Sequence, residues 1–359
     1  MIYEYWLAGI RSLSSKKKRR LREWYGNAQK IYNIEETLLK EQDFLTEKEV
    51  EAIILAKSAN DIERQYELLK KKEIQFLPYF DEHYPKHLKE LPDAPYALYY
   101  KGTLPDEETK SVAIVGARTC TPYGEQMALQ YGSCLAEAGV QIISGMALGI
   151  DGAGQRGALN AGGTTYGILG CGVDICYPRE HAGLYQDILK RGAVISEQPP
   201  GEKPLSYHFP ARNRIISGLS DVVLIMEAKE KSGSLITADM ALEQGKDIYA
   251  LPGPVTSPMS QGCHRLISQG AGILISPQEL IKELNLLEGK DRYKFDENKK
   301  VLESTENMLY SCLDLFPKGV HTLIEQTKMS PEQVMRELTT LQLEGKIKEI
   351  SKNYYIRAR

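Results

Sequence analysis

A chain of 359 residues is longer than one ordinary domain, so two or three domains are expected. Hydrophobic residues make up 42% and charged residues 26%, the balance of a globular protein with a real core, and no run of about 18 apolar residues exists to span a membrane. A formal net charge of -3 argues mildly against nucleic-acid binders as a class, but a local basic stripe would vanish in that average.

Residues 1–75 read as helical. "KKKRRLREWYG", "IYNIEETLLKEQ" and "LTEKEVEAIILAKSANDIERQYELLKKK" carry apolar residues at helical spacing between charges, and Thr46 with Glu49 forms a capping box. The start, "MIYEYWLAGIRSL", lacks the long apolar core and the cleavage site of a signal peptide. Residues 76–110, rich in Pro and Tyr, read as a linker and lead-in to the next domain.

From 111 to 285 the texture alternates. The short apolar runs "SVAIVG", "VQIIS", "TTYGIL", "GAVIS", "DVVLIME", "DIYALP" and "GILIS" are separated by helix-like stretches, which predicts an α/β domain with a parallel sheet covered on both faces. Residues 286–300 are polar and read as a second linker. Residues 301–359 read as three helices, "VLESTENMLYSCLDLF", "GVHTLIEQTK" and "SPEQVMRELTTLQLEGK", then the strands "IKEI" and "NYYIRA", a winged helix-turn-helix order; Ser330 caps the third helix with Pro331 at its first position.

In an open parallel sheet, ligands bind beyond the carboxyl ends of the strands. The distinctive loops all fall there: Gly116-Ala117-Arg118, Ser144-Gly145, Gly170-Cys171-Gly172, the stretch 196–201, "AKEKSGSLIT" at 228–237 and Pro252-Gly253-Pro254. The stretch "FPARNRIISGLSD" leads from the same edge into a helix. Glycines admit a ligand to the backbone, helix starts attract anions and arginine forks match phosphates. Arg118, Arg212, Asn213, Arg214 and the cradle Ser232-Gly233-Ser234 therefore read as parts of a phosphate-binding crevice several loops wide. Arg212 or Arg214 could instead hold Asp221 or Glu227 in a structural ion pair, and two residues apart on a helix they cannot face the same way. Gly170-Cys171-Gly172 needs only turn chemistry, and Asp151 reads by default as a helix cap.

No catalytic set stands out. The six histidines show neither H-E-x-x-H nor zinc spacing, and no G-x-x-x-x-G-K-[ST] is present, so neither a metal site nor a cofactor is expected. The six cysteines contain no C-x-x-C pair, which suggests reduced thiols in a cytoplasm.

"VAIVGARTCTPYG", "SGMALGIDGAGQRGAL", "GILGCGVDICYP", "SEQPPGEKPLSYHFPARNRIISGLSD", "EAKEKSGSLITADMALEQGKDIYALPGP" and "GCHRLISQGA" together resemble, in order and spacing, the DNA-processing protein A family (DprA, also called Smf). The resemblance implies an extended Rossmann-like domain between a helical, sterile-alpha-motif-like (SAM-like) N-terminal domain and a winged-helix C-terminal domain. It implies a single-stranded DNA-binding homodimer without turnover chemistry, which protects incoming DNA in natural transformation and loads RecA recombinase in homologous recombination. The residues it places on DNA are Gly116, Arg118, Ser144, Gly145, Phe209 (as a stacking surface), Arg212, Asn213, Arg214, Ser232, Gly233, Ser234 and Thr237. His264, Leu266, Ile267 and Ile273 fall on the implied dimer surface. Gln155 stands where many members carry histidine, so no role of that histidine transfers.

Two rival readings belong to other classes. Phosphoribohydrolases of the lysine-decarboxylase-like type share the Rossmann plan, but the glutamate of their P-G-G-x-G-T-x-x-E motif falls here on Met240, whose thioether does no acid/base work. A winged-helix transcription regulator would need a recognition helix richer in basic and amide side chains than one with Arg336 among acidic residues.

Overall fold

The structure is a computed structural model and describes residues 1–58, 61–285, 309–310, 312–313 and 318–357. It divides into two compact units, Met1–Leu286 and Leu287–Arg359. The expected second linker, 286–300, and most of the helix expected over 301–316 lie outside the described residues.

The first unit opens with six helices: α1 (Ile2–Gly9), α2 (Ser15–Tyr25), α3 (Ala28–Asn33), α4 (Glu36–Lys40), α5 (Glu47–Ser58) and α6 (Ile62–Lys71). Side chains start several of them: Ser14 accepts from the N–H of Lys17, Asn27 from Lys30 and Asp61 from Arg64. Thr46 and Glu49 form the expected reciprocal box, at 2.8 and 3.3 Å.

The stretch 76–110, read as linker and lead-in, supplies all but the first residue of two strands, β1 (Gln75–Pro78) and β2 (Ala97–Gly102), around the short helix α7 (Lys86–Lys89). They join β3 (Ser111–Val115), β4 (Gln141–Ser144), β5 (Thr165–Leu169), β6 (Ala193–Ser196), β7 (Val222–Ile225), β8 (Asp247–Ala250) and β9 (Gly272–Ile273) in one nine-stranded sheet. Its order is β1-β2-β6-β5-β4-β3-β7-β8-β9. Every pairing from β6 to β9 is parallel, whereas β1 and β2 add to the β6 edge antiparallel. All seven apolar runs became strands because a parallel strand is buried on both faces and so reads as continuously hydrophobic. The helices that alternate with them are α8 (Pro122–Glu137), α9 (Ile150–Asn160), α10 (Ala182–Arg191), α11 (His208–Gly218), α12 (Gly233–Glu243), α13 (Gln261–Ser268) and α14 (Pro277–Glu283).

Two cores lie on the two faces. Successive strand residues divide between them: Ile195 packs with Ile215, Ile216 and Leu235, while Val194 packs with Leu184 and Ile188. The second core runs on without a break into Phe76, Tyr99, Trp6, Leu21, Ile31 and Ile53. The N-terminal helices thus share a core with the sheet.

The second unit holds helices Val320–Thr327 and Pro331–Leu343 and a three-stranded sheet of Lys318–Gly319, Tyr354–Arg357 and Ile347–Ser351, in that spatial order. Leu309, Leu323, Val334, Leu338, Ile347 and Tyr355 form its core. Ser330 and Gln333 make a capping box with Pro331 in the first turn. This is a winged-helix arrangement.

Candidate nucleic-acid interface

The order in which the chain adds strands reverses at β3, which pairs in parallel with β4 on one side and with β7 on the other. The loops after β3 and β7 therefore diverge, and in such folds the crevice between them takes the ligand. An open groove of about 470 Å³ lies there. The β3 loop contributes Gly116 and Arg118. The start of α11 contributes Phe209, Arg212 and Asn213, and the β7–α12 connection contributes Lys229, Lys231, Ser232, Gly233, Ser234 and Thr237.

Arg212 forms the floor. It is only 6% exposed, and one terminal nitrogen donates to the carbonyl of Ile168. Its Nε is buried with no hydrogen-bond partner. Burial pulls its pKa down to about 10, against the opposing charge of Asp151, so it is cationic at neutral pH. Gly145 is what lets the guanidinium in, because a β-carbon there would come within 2.2 Å of it. A buried cation binds an anionic oxygen strongly, its N–H groups donating and the oxygen accepting.

Asp151 does not cap its helix, since the N-cap of α9 is Gly149. Its carboxylate instead accepts from the N–H groups of Gly145, at 3.0 Å, and Ala147, at 3.4 Å, pinning the loop after β4 beside Arg212. Burial pushes the Asp151 carboxyl above the usual carboxylate range, while the Arg212 charge and these N–H groups pull it down.

The other cations stand higher. Arg118, Lys229 and Lys231 are exposed, and among the described residues no carboxylate pairs with any of them. The Arg118 guanidinium lies 5.4 Å from the centroid of the Phe209 ring, and Tyr177 meets that ring from beyond at 5.6 Å. Gly170 gives the ring room, as a β-carbon there would press on it at 3.0 Å. Ser232 starts α12, its hydroxyl accepting from the N–H of Ser234, and a β-carbon on Gly233 would meet nothing within 4 Å. The helix N-terminus therefore opens into free space, where backbone N–H groups and the helix dipole favour an anion. Four cations and one carboxylate line the groove, so an acidic chain does carry a basic stripe.

The placement of the expected residues divides clearly. Gly116, Arg118, Phe209, Arg212, Asn213, Ser232, Gly233, Ser234 and Thr237 come together in the groove, and Gly145 lines a small annex beside Phe209. Ser144 does not reach it: its hydroxyl is fully buried and donates to the carbonyl of Ile114 at 2.6 Å. Arg214 turns away into a structural ion pair, but with Glu197 at 2.7 Å and Asp93 at 2.9 Å in place of the Asp221 or Glu227 weighed from sequence. Lys229 and Lys231 were not singled out from sequence, although two lysines directly ahead of a helix start were a readable sign of an anion site.

On the expected dimer surface, Leu266 is 4% exposed and belongs to the core, since it packs α13 onto the sheet. Ile267 is partly buried against the same core, His264 contacts the carbonyl of Gly253 at 3.0 Å, and Ile273 is 49% exposed. Gln155 is fully buried and donates to the carbonyl of Tyr166. Among the described residues, no group of three or more His, Cys, Asp or Glu could hold a metal ion, and no helix is long and apolar enough to cross a membrane.

Comparison with known proteins gives the same fold and more. Residues 75–285 match the family described as DNA recombination-mediator protein A, and residues 295–351 match the DprA winged helix domain. Protein Smf of Escherichia coli is 38% identical over 284 residues, covering 78% of this chain and 75% of its own. The X-ray structure of DNA processing protein A from Streptococcus pneumoniae superposes with a TM-score of 0.71 at 34% identity, covering 79% of this chain and 98% of the other. DNA processing protein A of Helicobacter pylori, whose structure was solved for its single-stranded DNA binding mode, gives a TM-score of 0.54 at 33% identity over 59% of this chain and 96% of the other.

Proposed function

This chain belongs to the DNA recombination-mediator protein A family, and from that premise we propose that its sheet-edge groove binds single-stranded DNA with little sequence preference. The observation that carries the reading is the groove floor, where the buried cation Arg212 lies beneath Arg118, Lys229 and Lys231, none of them paired with a carboxylate among the described residues. A strand needs a row of phosphate sites with platforms for its bases. Phe209 and Tyr177 supply platforms beside the row, whereas a mononucleotide would use one or two of these loops. The single-stranded DNA binding described for the Helicobacter pylori relative supports the choice of ligand.

The protein acts as a homodimer in the cytoplasm, shields incoming single strands and hands them to RecA recombinase, without turning over a substrate. Binding to single-stranded and duplex oligonucleotides across a salt series tests the first step. Four phosphate-facing cations give a log–log salt slope of about -3 for a single strand. A flat salt response, or a preference for duplex, sinks the reading. RecA filament growth on a strand coated with single-strand-binding protein, with and without this chain, tests the second; equal rates count against it.

A further inference from the structure

Glu227 stands just past the end of β7, close to the groove but not lining it, and is 3% exposed. The sequence offers it as a partner for Arg212 or Arg214, and it serves neither: among the described residues no Lys, Arg or His pairs with it. A buried carboxylate without a cation is costly unless hydrogen bonds hold it, so its bonds carry the reason for its place in the fold.

The bonds of its carbonyl and its carboxylate go to one loop. The carbonyl accepts from the N–H of Ala117 at 2.8 Å. The carboxylate accepts from the N–H of Thr121 at 2.8 Å and from the Thr121 hydroxyl at 2.5 Å. Glu227 therefore ties both ends of the stretch 117–121, the loop from β3 to α8 on which Arg118 stands. Glycines make the fit possible. A β-carbon on Gly124, in the first turn of α8, would come within 2.4 Å of the Glu227 carboxyl carbon, and one on Gly116 within 3.0 Å of its carbonyl oxygen. From the other side the N–H of Ile150 donates to the carbonyl of Ala117 at 3.2 Å. The loop is clamped between Glu227 and the start of α9, while Arg118 lines the groove. The lysines across the groove are held by other means: the N–H of Ala228 donates to the carbonyl of Met259, and the carbonyl of Ala228 accepts from the N–H of Gly262, both at 2.8 Å. The Glu227 side chain thus serves Arg118 and not Lys229 or Lys231.

We infer that Glu227 is a positioning residue for strand binding: it never touches the strand, and acts by holding the Arg118 loop in place so that the guanidinium meets a phosphate without first having to be ordered. The inference rests on the reading of the groove as a strand site. A neutral amide fills the same volume, but it has one acceptor oxygen where the carboxylate has two, one for each Thr121 donor. Glu227→Gln is therefore the mildest change that loosens the clamp.

The test measures binding of a fluorescein-labelled oligothymidine to the full chain by anisotropy, as a double-mutant cycle, with a melting curve for every variant. Glu227→Gln should weaken binding by roughly three- to tenfold and reduce the log–log salt slope by up to about 0.7, one phosphate on a single strand, as Arg118→Ala does. Added to Arg118→Ala, it should cost no further affinity while lowering the melting temperature as much as it does alone. Added to Lys231→Ala, it should cost its full factor again. A glutamate that only supports the fold would lower the melting temperature and add equally to both, and that result overturns the inference, as does wild-type affinity in Glu227→Gln. Should Glu227→Gln not fold, the cycle is read with Thr121→Val, which removes the hydroxyl the carboxylate holds; Thr121→Ser, which keeps it, should bind as wild type does. Equal binding by Thr121→Val and Thr121→Ser overturns the inference. If the wild type itself fails to bind the strand, the groove reading falls and this inference falls with it.

Discussion

Arg212 and Arg214 leave α11 two residues apart, about 200° around the helix, and their surroundings differ accordingly. That one arginine would face the crevice and the other a carboxylate is visible in the spacing alone. What spacing does not show is that the crevice-facing one is buried too, because the glycine that admits it lies 67 positions back, at Gly145. Removing Arg212 outright would strand Asp151, so an alanine there costs stability as well as binding. Arg212→Lys keeps the charge opposite Asp151 but loses the fork; it should melt near wild type and bind single strands at least tenfold more weakly, measured by anisotropy. Arg214→Ala should do the reverse. It unpairs Glu197, whose side chain is 22% exposed, and should cost about 3 kcal/mol in urea denaturation while the salt slope of strand binding stays put. Equal losses of affinity in the two variants would remove Arg212 from the groove.

The same reasoning applies to Lys18, where the sequence shows only one lysine in a run of five basic residues. Burial pulls its pKa down to about 8, against the attraction of Glu197. Unfolded, it titrates near 10.4. Between these values the unfolded chain binds more protons, so Lys18 makes stability rise with pH across roughly 8 to 10, and its cost to the fold is present in full below that window. Lys18→Met should therefore be more stable than wild type at neutral pH, by up to about 3 kcal/mol before the lost bond to Ala8 is counted, and the gap should close as pH climbs through the window. Paired urea titrations at neutral and alkaline pH measure it; a constant gap would show that Lys18 is not the titrating group.

At the scale of elements, the basic run of α2 looks from its letters like a solvated helix face. The structure uses it to tie the N-terminal helices down. Lys17 binds Glu49 at 2.6 Å, Arg19 reaches the carbonyl of Pro92, Arg20 lies over Phe44 and Arg22 binds Glu4 at 2.5 Å. Partners so distant in sequence leave no local signal. The parallel strands were legible because burial on both faces makes them plain apolar runs. β1 and β2 were not, since β1 is a short edge strand ending in proline, and β2 ends in glycine and carries two tyrosines that suit a linker equally well. The start of α12 was legible in Ser232-Gly233-Ser234, a cap and a bare position before an apolar helix. Because a side chain on Gly233 enters open space, Gly233→Glu should fold with a nearly unchanged melting temperature. Its carboxylate would occupy the helix N-terminus and repel phosphate, lowering strand affinity more than tenfold at low salt and less at high salt. Salt-independent weakening would mean that the glycine matters for shape alone.

For the whole molecule, the proposed homodimer requires a surface on which two copies could meet. The sheet is protected at one end, where β1 lies under the N-terminal helices, and its other end is β9, a two-residue strand paired only to β8. An exposed edge invites pairing with another chain unless something covers it. Ile273 on that strand is 49% exposed, and Ile275 just beyond it is 72% exposed. Leu266 was expected on this surface, but it packs inward, so a charge there tests the core and not the interface. The informative pair is Ile273→Asp against Leu266→Asp. If two copies associate through the β9 edge, Ile273→Asp should give a monomeric mass by light scattering at micromolar concentration with an unaltered melting temperature, while Leu266→Asp should unfold the unit. The monomer should still bind a short strand as wild type does, because Ile273 lies outside the groove. It should bind a long strand more weakly, because two grooves on one dimer raise avidity only when both can be spanned at once. A dimeric mass retained by Ile273→Asp would place the interface on another face.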